Sequence, residues 1–470
     1  MEEGPARVPR PRRRRLWFLV LALAVVLVLP TVRRATYLSV VWTPALLSAL
    51  IWPSPTVVVN SLQLSGPVFI KLAQWLSTRR DILPNDLCDA MGTLHEHVPS
   101  TLSRQDIRHA VAEIPGLEVQ DLLGGGCVAQ VYSGLFEGQE VAVKVRRSGI
   151  VPRLEVDLRL LKLAAQVVMG LKPSLKWMAL DKALENFSVY MMQQVDLRKE
   201  ADHMRRFTEN FKKRKNIQVP RIYANTESVL VMGQAPGVSL SDFIKANHSV
   251  ELRTSVHYVL TDMMAKMGLQ DKFLHGDLHP GNLFIDLQGP EQKPLVTLID
   301  TGISIGMSPN ISSFTKDAMT AAFRRDPQKL GWSVVTLHQK EGLAGYGEGL
   351  EDLAHDVGYL LLAGCFMVDE SIWAERFKSF EDYNGTKVSE YFTMLMGDLS
   401  KHKVRVSPDL WSIMTAFALI EGSISELGFG VNVLGACIPY IMNPLNVIDW
   451  RRSWKTLHDS DENSRKAGRK

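Results

Sequence analysis

The sequence contains few cysteines, and they lie far apart. Only four occur in 470 residues, at Cys88, Cys127, Cys365 and Cys437, and no two of them form a C-x-x-C motif. This spacing indicates neither a zinc site nor a disulfide framework. Four separate thiols are typical of a protein in a reducing compartment.

A strong excess of charge of one sign is also missing. The formal net charge is only +4, charged residues make up 22% of the chain, and no basic stripe with interleaved aromatic residues is present. We therefore expect no nucleic-acid partner. The length of 470 residues and the hydrophobic content of 46% suit one bilobal globular domain with extensions.

What the sequence does contain is the polar skeleton of a phosphoryl-transfer site. Asp277 is followed five residues later by Asn282 and, after a predicted β-hairpin, by Asp300. Phosphoryl transfer needs a carboxylate beside the attacking hydroxyl, and an amide oxygen with a second carboxylate to hold Mg²⁺. The order predicts Asp277 as the catalytic carboxylate and Asn282 and Asp300 as the metal ligands. Turn-forming sequence alone is the alternative explanation, but it does not account for the apolar runs at 283–285 and 295–299.

A glycine-rich loop and a strand lysine upstream supply the other half of such a site. Kinases cover the phosphates with G-x-G-x-x-G-x-V and place a lysine on the third strand, in V-A-I-K. The sequence keeps this register for nucleotide binding at Gly124, Gly125, Gly126, Val131 and Lys144. The agreement of loop, lysine, catalytic loop and final aspartate in this order is more specific than any one of them.

An acid and a hinge complete the predicted site. Glu200 lies in a helix predicted at 184–210 and is the expected partner of Lys144, although it could instead be a solvated charge on the helix face. After a strand predicted at 228–232, the glycine- and proline-containing segment 233–237 predicts a hinge. We expect Met232 and Gln234 to border a bound adenine there.

The order of these motifs resembles the UbiB/aarF-domain family of atypical protein-kinase-like proteins. The most specific marker precedes the kinase motifs, where 71–84 (KLAQWLSTRRDILP) is similar to the family's K-x-G-Q segment. The resemblance covers most of the chain from Ser65 onward. It implies that Lys71 and Gln74 belong to the site, on a segment that folds over it and occupies the place of a protein substrate. Without the resemblance, the two residues would simply begin an amphipathic helix.

The sequence departs from the family pattern at several positions. The glycine of K-x-G-Q is Ala73, the usual alanine-rich nucleotide loop is three glycines followed by Cys127, and D-F-G has Thr301 in place of its aromatic residue. This combination most resembles one branch of the family, whose members are mitochondrial proteins of animals.

One departure affects Lys71 directly. The family's E-x-D motif, whose first acid is the usual partner of this lysine, contains the neutral Gln194 here, followed by Asp196. A charged acceptor makes a stronger hydrogen bond than a neutral one. We therefore expect Lys71 to be held loosely, unless Asp196 supplies the missing charge.

The predicted fold class is α+β, a bilobal protein-kinase-like fold with an N-terminal helical extension and a membrane segment. The predicted units are an Arg-rich N-terminus with one or two hydrophobic segments, the helical extension, the small lobe, the large lobe and a polar tail, at 1–53, 54–116, 117–233, 234–450 and 451–470.

The N-terminus carries a targeting or membrane signal. Several arginines precede an apolar run at 16–29, and a second apolar stretch follows at 35–53. A secretory signal, a signal anchor and a mitochondrial presequence leading into a membrane segment all fit this pattern. The lack of a disulfide pattern and the family resemblance favour a single-pass mitochondrial membrane protein, with a signal-anchored endomembrane protein as the alternative.

The resemblance implies an atypical kinase-like protein with ATP and Mg²⁺ as cofactors. It would act as an ATPase, or as a kinase of small molecules or lipids rather than proteins, in coenzyme Q metabolism and mitochondrial lipid handling. Mitochondrial membrane lipids and coenzyme Q biosynthesis proteins are the expected partners.

The sequence leaves two other functions open. A soluble phosphotransferase of the choline or aminoglycoside kind also has an H-G-D-x-H-P-x-N loop, but the segment 71–74 and the apolar N-terminus disfavour it. A nucleotide-sensing pseudokinase scaffold is the third function. Retention of Lys144, Asp277 and Asp300 argues against a dead site.

Overall fold

The fold was analysed in a computed structural model of the chain. The residues that it describes are 30–51, 54–77, 83–95, 102, 104–172, 180–246, 248–289, 293–343, 349–366, 394–395, 397–399, 401–402, 404, 407–425, 427 and 440. The predicted apolar run at 16–29 and the predicted polar tail at 451–470 lie outside these residues. Within them, no helix combines the length and the hydrophobicity that crossing a bilayer requires.

The helices are α1 (Pro30–Ile51), α2 (Pro55–Ser65), α3 (Pro67–Leu76), α4 (Asn85–Gly92), α5 (Arg104–Glu113), α6 (Ile150–Leu171), α7 (Leu180–Gln194), α8 (Leu197–Phe211), α9 (Leu240–Lys245), α10 (Val250–Ala265), α11 (Pro309–Phe323), α12 (Pro327–Lys340), α13 (Leu350–Phe366) and α14 (Pro408–Ser425). The strands are β1 (Leu117–Gly125), β2 (Ala129–Phe136), β3 (Gln139–Arg146), β4 (Ile217–Gln218), β5 (Ile222–Asn225), β6 (Val229–Gly233), β7 (Val238–Ser239), β8 (Phe273–His275), β9 (Leu283–Gln288), β10 (Lys293–Leu298) and β11 (Ser304–Gly306).

Five antiparallel strands form the first sheet, in the order β1-β2-β3-β6-β5. Ala142 and Leu230 on one face pack against α8 through Met204. Val141 and Val231 on the other face belong to a second cluster that includes Ile114, just after α5. Because side chains alternate along a strand, these two buried faces account for the nearly continuous apolar sequence of β3 and β6.

The helix predicted at 184–210 is two helices in the structure, α7 and α8. The break occurs at Asp196, whose side chain accepts a hydrogen bond from the backbone N–H of Arg198 and caps α8. Aspartate is a favoured N-cap because its carboxylate satisfies a backbone N–H that has no partner within the helix. The prediction of one continuous helix was therefore wrong, although both halves are helical.

A smaller sheet and a helical core form the second lobe. Strands β9 and β10 form the predicted hairpin, and they pair within a four-stranded sheet of order β4-β10-β9-β7. The hinge ends at Gly237, whose φ is +83°. A Cβ at this position would lie only 2.1 Å from the backbone oxygen of Ile285. The close approach of these two backbone segments therefore requires glycine.

The N-terminal helices pack onto the first sheet's glycine loop. Phe69, Ile70 and Ala73 of α3 belong to the same hydrophobic cluster as Val128, at the tip of that loop, and Leu154 of α6. This packing brings the helix that carries the family marker over the loop between β1 and β2. The apolar face of α3 thus decides where its polar residues point.

A buried ion pair attaches α1 to α6. The guanidinium of Arg34 contacts both carboxylate oxygens of Asp157, with Nε at 2.6 Å and Nη2 at 2.8 Å, and it also donates to the backbone oxygen of Ser65. The Asp157 side chain is completely buried. A bidentate pair of this kind is short and directional.

We expect Arg34→Ala to lower the free energy of unfolding by about 3 kcal/mol, because it leaves the Asp157 carboxylate buried without its counter-charge. Arg33→Ala is the matched control, since Arg33 is exposed one residue away; its effect should stay within about 0.5 kcal/mol. Urea unfolding of the full chain measures both. Equal losses in the two variants would mean that the ion pair does not hold α1.

Candidate nucleotide site

The ammonium of Lys144 lies at the centre of the candidate site. Its Nζ is 2.8 Å from Oε1 of Glu200 and 2.6 Å from Oδ1 of Asp300. Strand β3 carries the lysine, the first turn of α8 carries the glutamate, and the segment after β10 carries the aspartate. Glu200 is buried. The predicted ion pair with Lys144 is therefore present, and the alternative of a solvated helix-face charge was wrong.

Burial and charge sharing set the proton affinities of these groups. Burial works against the charged ammonium of Lys144, but Asp300 and Glu200 together raise its pKa. Burial raises the pKa of Glu200 to about 6, with Lys144 opposing the rise and Asp300 adding to it. Partial removal from water also favours the neutral form of Asp300, yet Lys144 holds the pKa of that carboxyl below its usual value. The lysine is therefore charged, and Asp300 is ionised, at neutral pH.

The catalytic loop is held by a buried histidine. The Nε2 atom of His275 lies 3.1 Å from the backbone oxygen of Ile299, and the backbone N–H of Asp277 donates to its Nδ1 at 3.2 Å. Burial lowers the pKa of His275, so a neutral ring that donates from Nε2 and accepts at Nδ1 satisfies both contacts. His275 is the first residue of the H-G-D-x-H-P-x-N loop, and the motif alone does not predict this structural role.

Asn282 is oriented by the same loop. Its Nδ2 donates to the backbone oxygen of Asp277 at 2.8 Å, and its own backbone oxygen accepts from the N–H of Ile299 at 3.0 Å. The side-chain amide nitrogen is thus occupied, which leaves the amide oxygen as the acceptor. The hairpin of β9 and β10 connects Asn282 to Asp300 through this backbone contact.

Lys71 reaches the predicted catalytic carboxylate. Its Nζ lies 2.8 Å from Oδ2 of Asp277, and both side chains are mostly buried. Burial favours the neutral forms of both groups, but their mutual attraction raises the pKa of Lys71 and lowers the pKa of Asp277. Gln74 instead donates to the backbone oxygen of Leu94 at 3.1 Å. The structure thus places Lys71 on the predicted base, while Gln74 ties α3 to the 3₁₀ turn at Thr93–His95.

Neither of the two expectations for Lys71, loose holding beside Gln194 or pairing with Asp196, agrees with the structure. Asp196 caps α8 and binds the guanidinium of Arg198 at 2.9 Å, so it does not supply the charge for Lys71. The Oε1 atom of Gln194 is buried with no hydrogen-bond partner among the described residues. Lys71 is therefore not loosely held, because the acid that pairs with it is Asp277 itself.

The glycine loop has the predicted strand–loop–strand form. Gly124 and Gly125 end β1, and the backbone N–H of Gly126 donates to the oxygen of Ala129 at 2.8 Å. Val131 on β2 lies opposite Lys144 on β3, so the strand that follows the loop pairs with the strand that carries the lysine.

At the hinge, the first sheet uses one backbone donor that a bound base could otherwise meet. The backbone N–H of Gly233 donates to Arg221 at 2.8 Å, so the sheet already uses that donor. Met232 is buried opposite Ala142, and the side chain of Gln234 donates to the oxygen of Val141 at 3.3 Å. A base at this edge would therefore meet Met232 and Gln234 rather than the N–H of Gly233.

Thr301 links the segment after β10 to α8, a contact that the sequence alone does not predict. The residue is fully buried, and its hydroxyl donates to the backbone oxygen of Glu200 at 3.2 Å. Its own backbone oxygen accepts from Oγ of Ser304 and contacts Nδ1 of His203, each at 2.9 Å. Hydrogen bonds therefore occupy the place where the family has aromatic packing. In the sequence, the signal for this link was the polar residue that follows Asp300.

The donor set suits Mg²⁺ held together with phosphates. Asp300 sits at φ +52°, an uncommon conformation for a residue other than glycine, and its side chain is 44% exposed although Oδ1 contacts Lys144. One carboxylate and one amide oxygen match the few protein ligands that Mg²⁺ takes. Among the described residues, no cluster of three or more His, Cys, Asp or Glu could bind a metal by itself.

We expect Thr301→Val to lower the free energy of unfolding by about 1 kcal/mol, the usual net value of one hydrogen bond. The change nearly keeps the shape of the side chain and replaces the hydroxyl with a methyl group. Thr301→Ser retains the donor and is the matched control, which should lose less. Denaturant unfolding compares them; a valine variant as stable as the wild type would show that the hydroxyl contributes no net stabilisation.

Comparison with known proteins gives one consistent assignment. Residues 120–333 match the model of the ABC1 atypical kinase-like domain. A probable protein kinase UbiB of Tolumonas auensis is 31% identical over 290 residues, which cover 59% of this chain and 52% of that protein. A mitochondrial ABC1 family protein of Saccharomyces cerevisiae is 29% identical over 440 residues, which cover 81% of this chain and 66% of that protein.

The chain spans about half the length of the UbiB proteins that it matches. A solved protein of Mycobacterium tuberculosis, in complex with erythromycin, covers 72% of this chain and 88% of its own, with a TM-score of 0.43 and 17% identity. That similarity is too small to support an inference. The domain match and the UbiB relatives, together with the order of the site residues, show that residues 120–333 are an ABC1 atypical kinase-like domain, similar to that of the UbiB/aarF family.

Proposed function

We propose that the protein binds ATP with Mg²⁺ at the candidate nucleotide site. It would hydrolyse the nucleotide, or transfer the terminal phosphoryl group to a small molecule or lipid, rather than to a protein. The contact between Lys71 and Asp277 carries this proposal. Lys71, on helix α3 of the N-terminal extension, contacts the predicted base Asp277. A peptide substrate would have to displace α3 to reach that carboxylate.

Each site residue has a role that its contacts support. Lys144 would bind the phosphates, with Glu200 keeping its ammonium in place. The amide oxygen of Asn282 and the carboxylate of Asp300 would hold the metal. Bound Mg²⁺ would neutralise charge on the phosphate oxygens. The glycine loop would cover the phosphates and donate hydrogen bonds to them from its backbone N–H groups.

Asp277 would accept the proton of the attacking hydroxyl or water. It is ionised, as a base must be, but its charge is balanced by the Lys71 ammonium. A base is less effective when its pKa is held low. Slow basal turnover is therefore expected until α3 moves and separates the two groups.

The similarity to the UbiB/aarF family supports a proposal for the cellular setting. We propose a role in coenzyme Q metabolism and mitochondrial lipid handling, in contact with mitochondrial membrane lipids and with proteins of coenzyme Q biosynthesis. One relative is named a UbiB kinase, and another is named mitochondrial. The match to the ABC1 domain and the Lys71 contact disfavour a soluble phosphotransferase of the choline or aminoglycoside kind.

Asp300→Asn should weaken Mg²⁺-dependent ATP binding by at least about tenfold, because an amide lacks the charge that binds the metal. Asp277→Asn should leave ATP affinity unchanged and lower turnover by about a hundredfold, because a base acts on the nucleophile. Thermal-shift titrations and ADP release measure the two effects.

Undiminished Mg²⁺-ATP binding by Asp300→Asn would refute the metal assignment. Binding without turnover in the wild type, with and without membranes, would instead identify a nucleotide-sensing scaffold.

Lys71→Met should raise ADP release severalfold, because it removes the ammonium that neutralises Asp277. Lys71→Arg keeps the charge and is the matched control, with turnover close to the wild type. Hydrogen exchange over 70–75 in the same variants reports whether α3 opens. Lower turnover in Lys71→Met would show that Lys71 assists the chemistry rather than restraining it.

A further inference from the structure

A groove runs between helices α11 and α12, which belong to none of the nucleotide-site elements. The two helices follow each other through a short turn at 324–326. The groove has a volume of about 470 Å³, and Phe314, Ala321 and Leu337 provide its apolar lining. Pockets of a few hundred Å³ hold single small molecules. The groove is therefore large enough for a discrete ligand.

Cationic side chains surround this apolar surface. Lys316, Arg324, Lys329 and Lys340 line the groove, and Asp317 is its one carboxylate. Lys329 is compensated by Asp326, at 3.0 Å. In the part of the chain that the structure describes, neither a hydrogen bond nor an ion pair occurs at the side chains of Lys316, Arg324 or Lys340. The groove thus retains an excess of positive charge.

An exposed indole lies among these cations. Trp332 lines the groove and is 41% exposed to solvent. A large aromatic surface left in water favours contact with an apolar group, and an indole can also stack on a planar one. The groove therefore combines an apolar surface for the body of a ligand with cations for an anionic group.

We propose that this groove binds a phosphate monoester that carries an apolar body. The phosphate would lie against Lys316 and Arg324, and the body would lie on the apolar lining beside Trp332. A phosphate monoester carries about two negative charges and three strong acceptor oxygens. It therefore matches several cations better than a carboxylate does. A guanidinium such as that of Arg324 also binds phosphate oxygens in a bidentate manner.

The site is separate from the proposed ATPase or kinase activity and does not depend on it. Two sources could supply the same chemistry, a soluble phosphorylated metabolite or the headgroup of an anionic lipid. The size of the groove favours a discrete ligand. Variants of the groove should bind Mg²⁺-ATP as the wild type does, which separates a failure of this proposal from a failure of the nucleotide site.

Hexyl phosphate tests the proposal on the full chain without ATP. Isothermal titration should show saturable binding, and Arg324→Gln and Lys316→Gln should each weaken it at least about tenfold, the effect of losing a charge-assisted hydrogen bond. Lys162→Gln is the matched control, because Lys162 is an exposed lysine on α6 outside the groove, and its affinity should not change. Binding should alter tryptophan fluorescence in the wild type, and Trp332→Phe should abolish that signal.

Two further probes separate the remaining outcomes. Inorganic phosphate should bind at least about tenfold more weakly than hexyl phosphate, since it lacks the apolar body. Equal affinity would identify an adventitious anion site and overturn the proposal. Phosphatidylcholine vesicles with and without phosphatidic acid form the membrane arm. Vesicle binding that depends on Arg324 and Lys316, without binding of hexyl phosphate, would assign the groove to a lipid headgroup and overturn the discrete ligand.

Discussion

The rest of the candidate site depends on the ammonium of Lys144. This one group joins a strand of the first sheet, the first turn of α8 and the loop after β10, because Glu200 and Asp300 both contact it. A buried charge without a partner is costly, so these contacts favour keeping the three elements together. Placement of the predicted metal ligand is therefore coupled to the position of a helix in the other lobe.

A second ion pair adds to the charge pairing of the site. Lys71 neutralises Asp277, whereas the single ammonium of Lys144 is shared between the carboxylates of Glu200 and Asp300. Two ammonium groups thus face three carboxylates, and an excess of negative charge remains before any nucleotide enters. A nucleotide with its metal brings both negative phosphates and positive charge, and it can replace these contacts. Because α3 carries Lys71, opening of the extension and use of the catalytic carboxylate become one event in the proposed function.

Departures from the family pattern change which forces hold the site together. Thr301 replaces aromatic packing with hydrogen bonds to α8 and to Ser304. Hydrogen bonds are directional, so the loop that bears Asp300 is held at one angle even though its backbone is in the left-handed region. Gln194 removes a charge next to this loop, and its buried oxygen has no described partner. Lys71 therefore pairs with Asp277 and not with an acid at position 194.

The sequence by itself determined the features that depend on short-range chemistry. The order of glycine loop, strand lysine and catalytic loop, and the hairpin of β9 and β10, follow from turn residues and strand patterns within a few residues. Tertiary structure decided the pairings. Lys71 and Asp277 are 206 residues apart, and their contact depends on α3 packing against Val128 and α6. Asp196 shows the same limit, since its charge suits either a lysine or a helix N-cap. The fold selected the cap because α8 begins there, and the N–H of Arg198 is closer than the ammonium of Lys71.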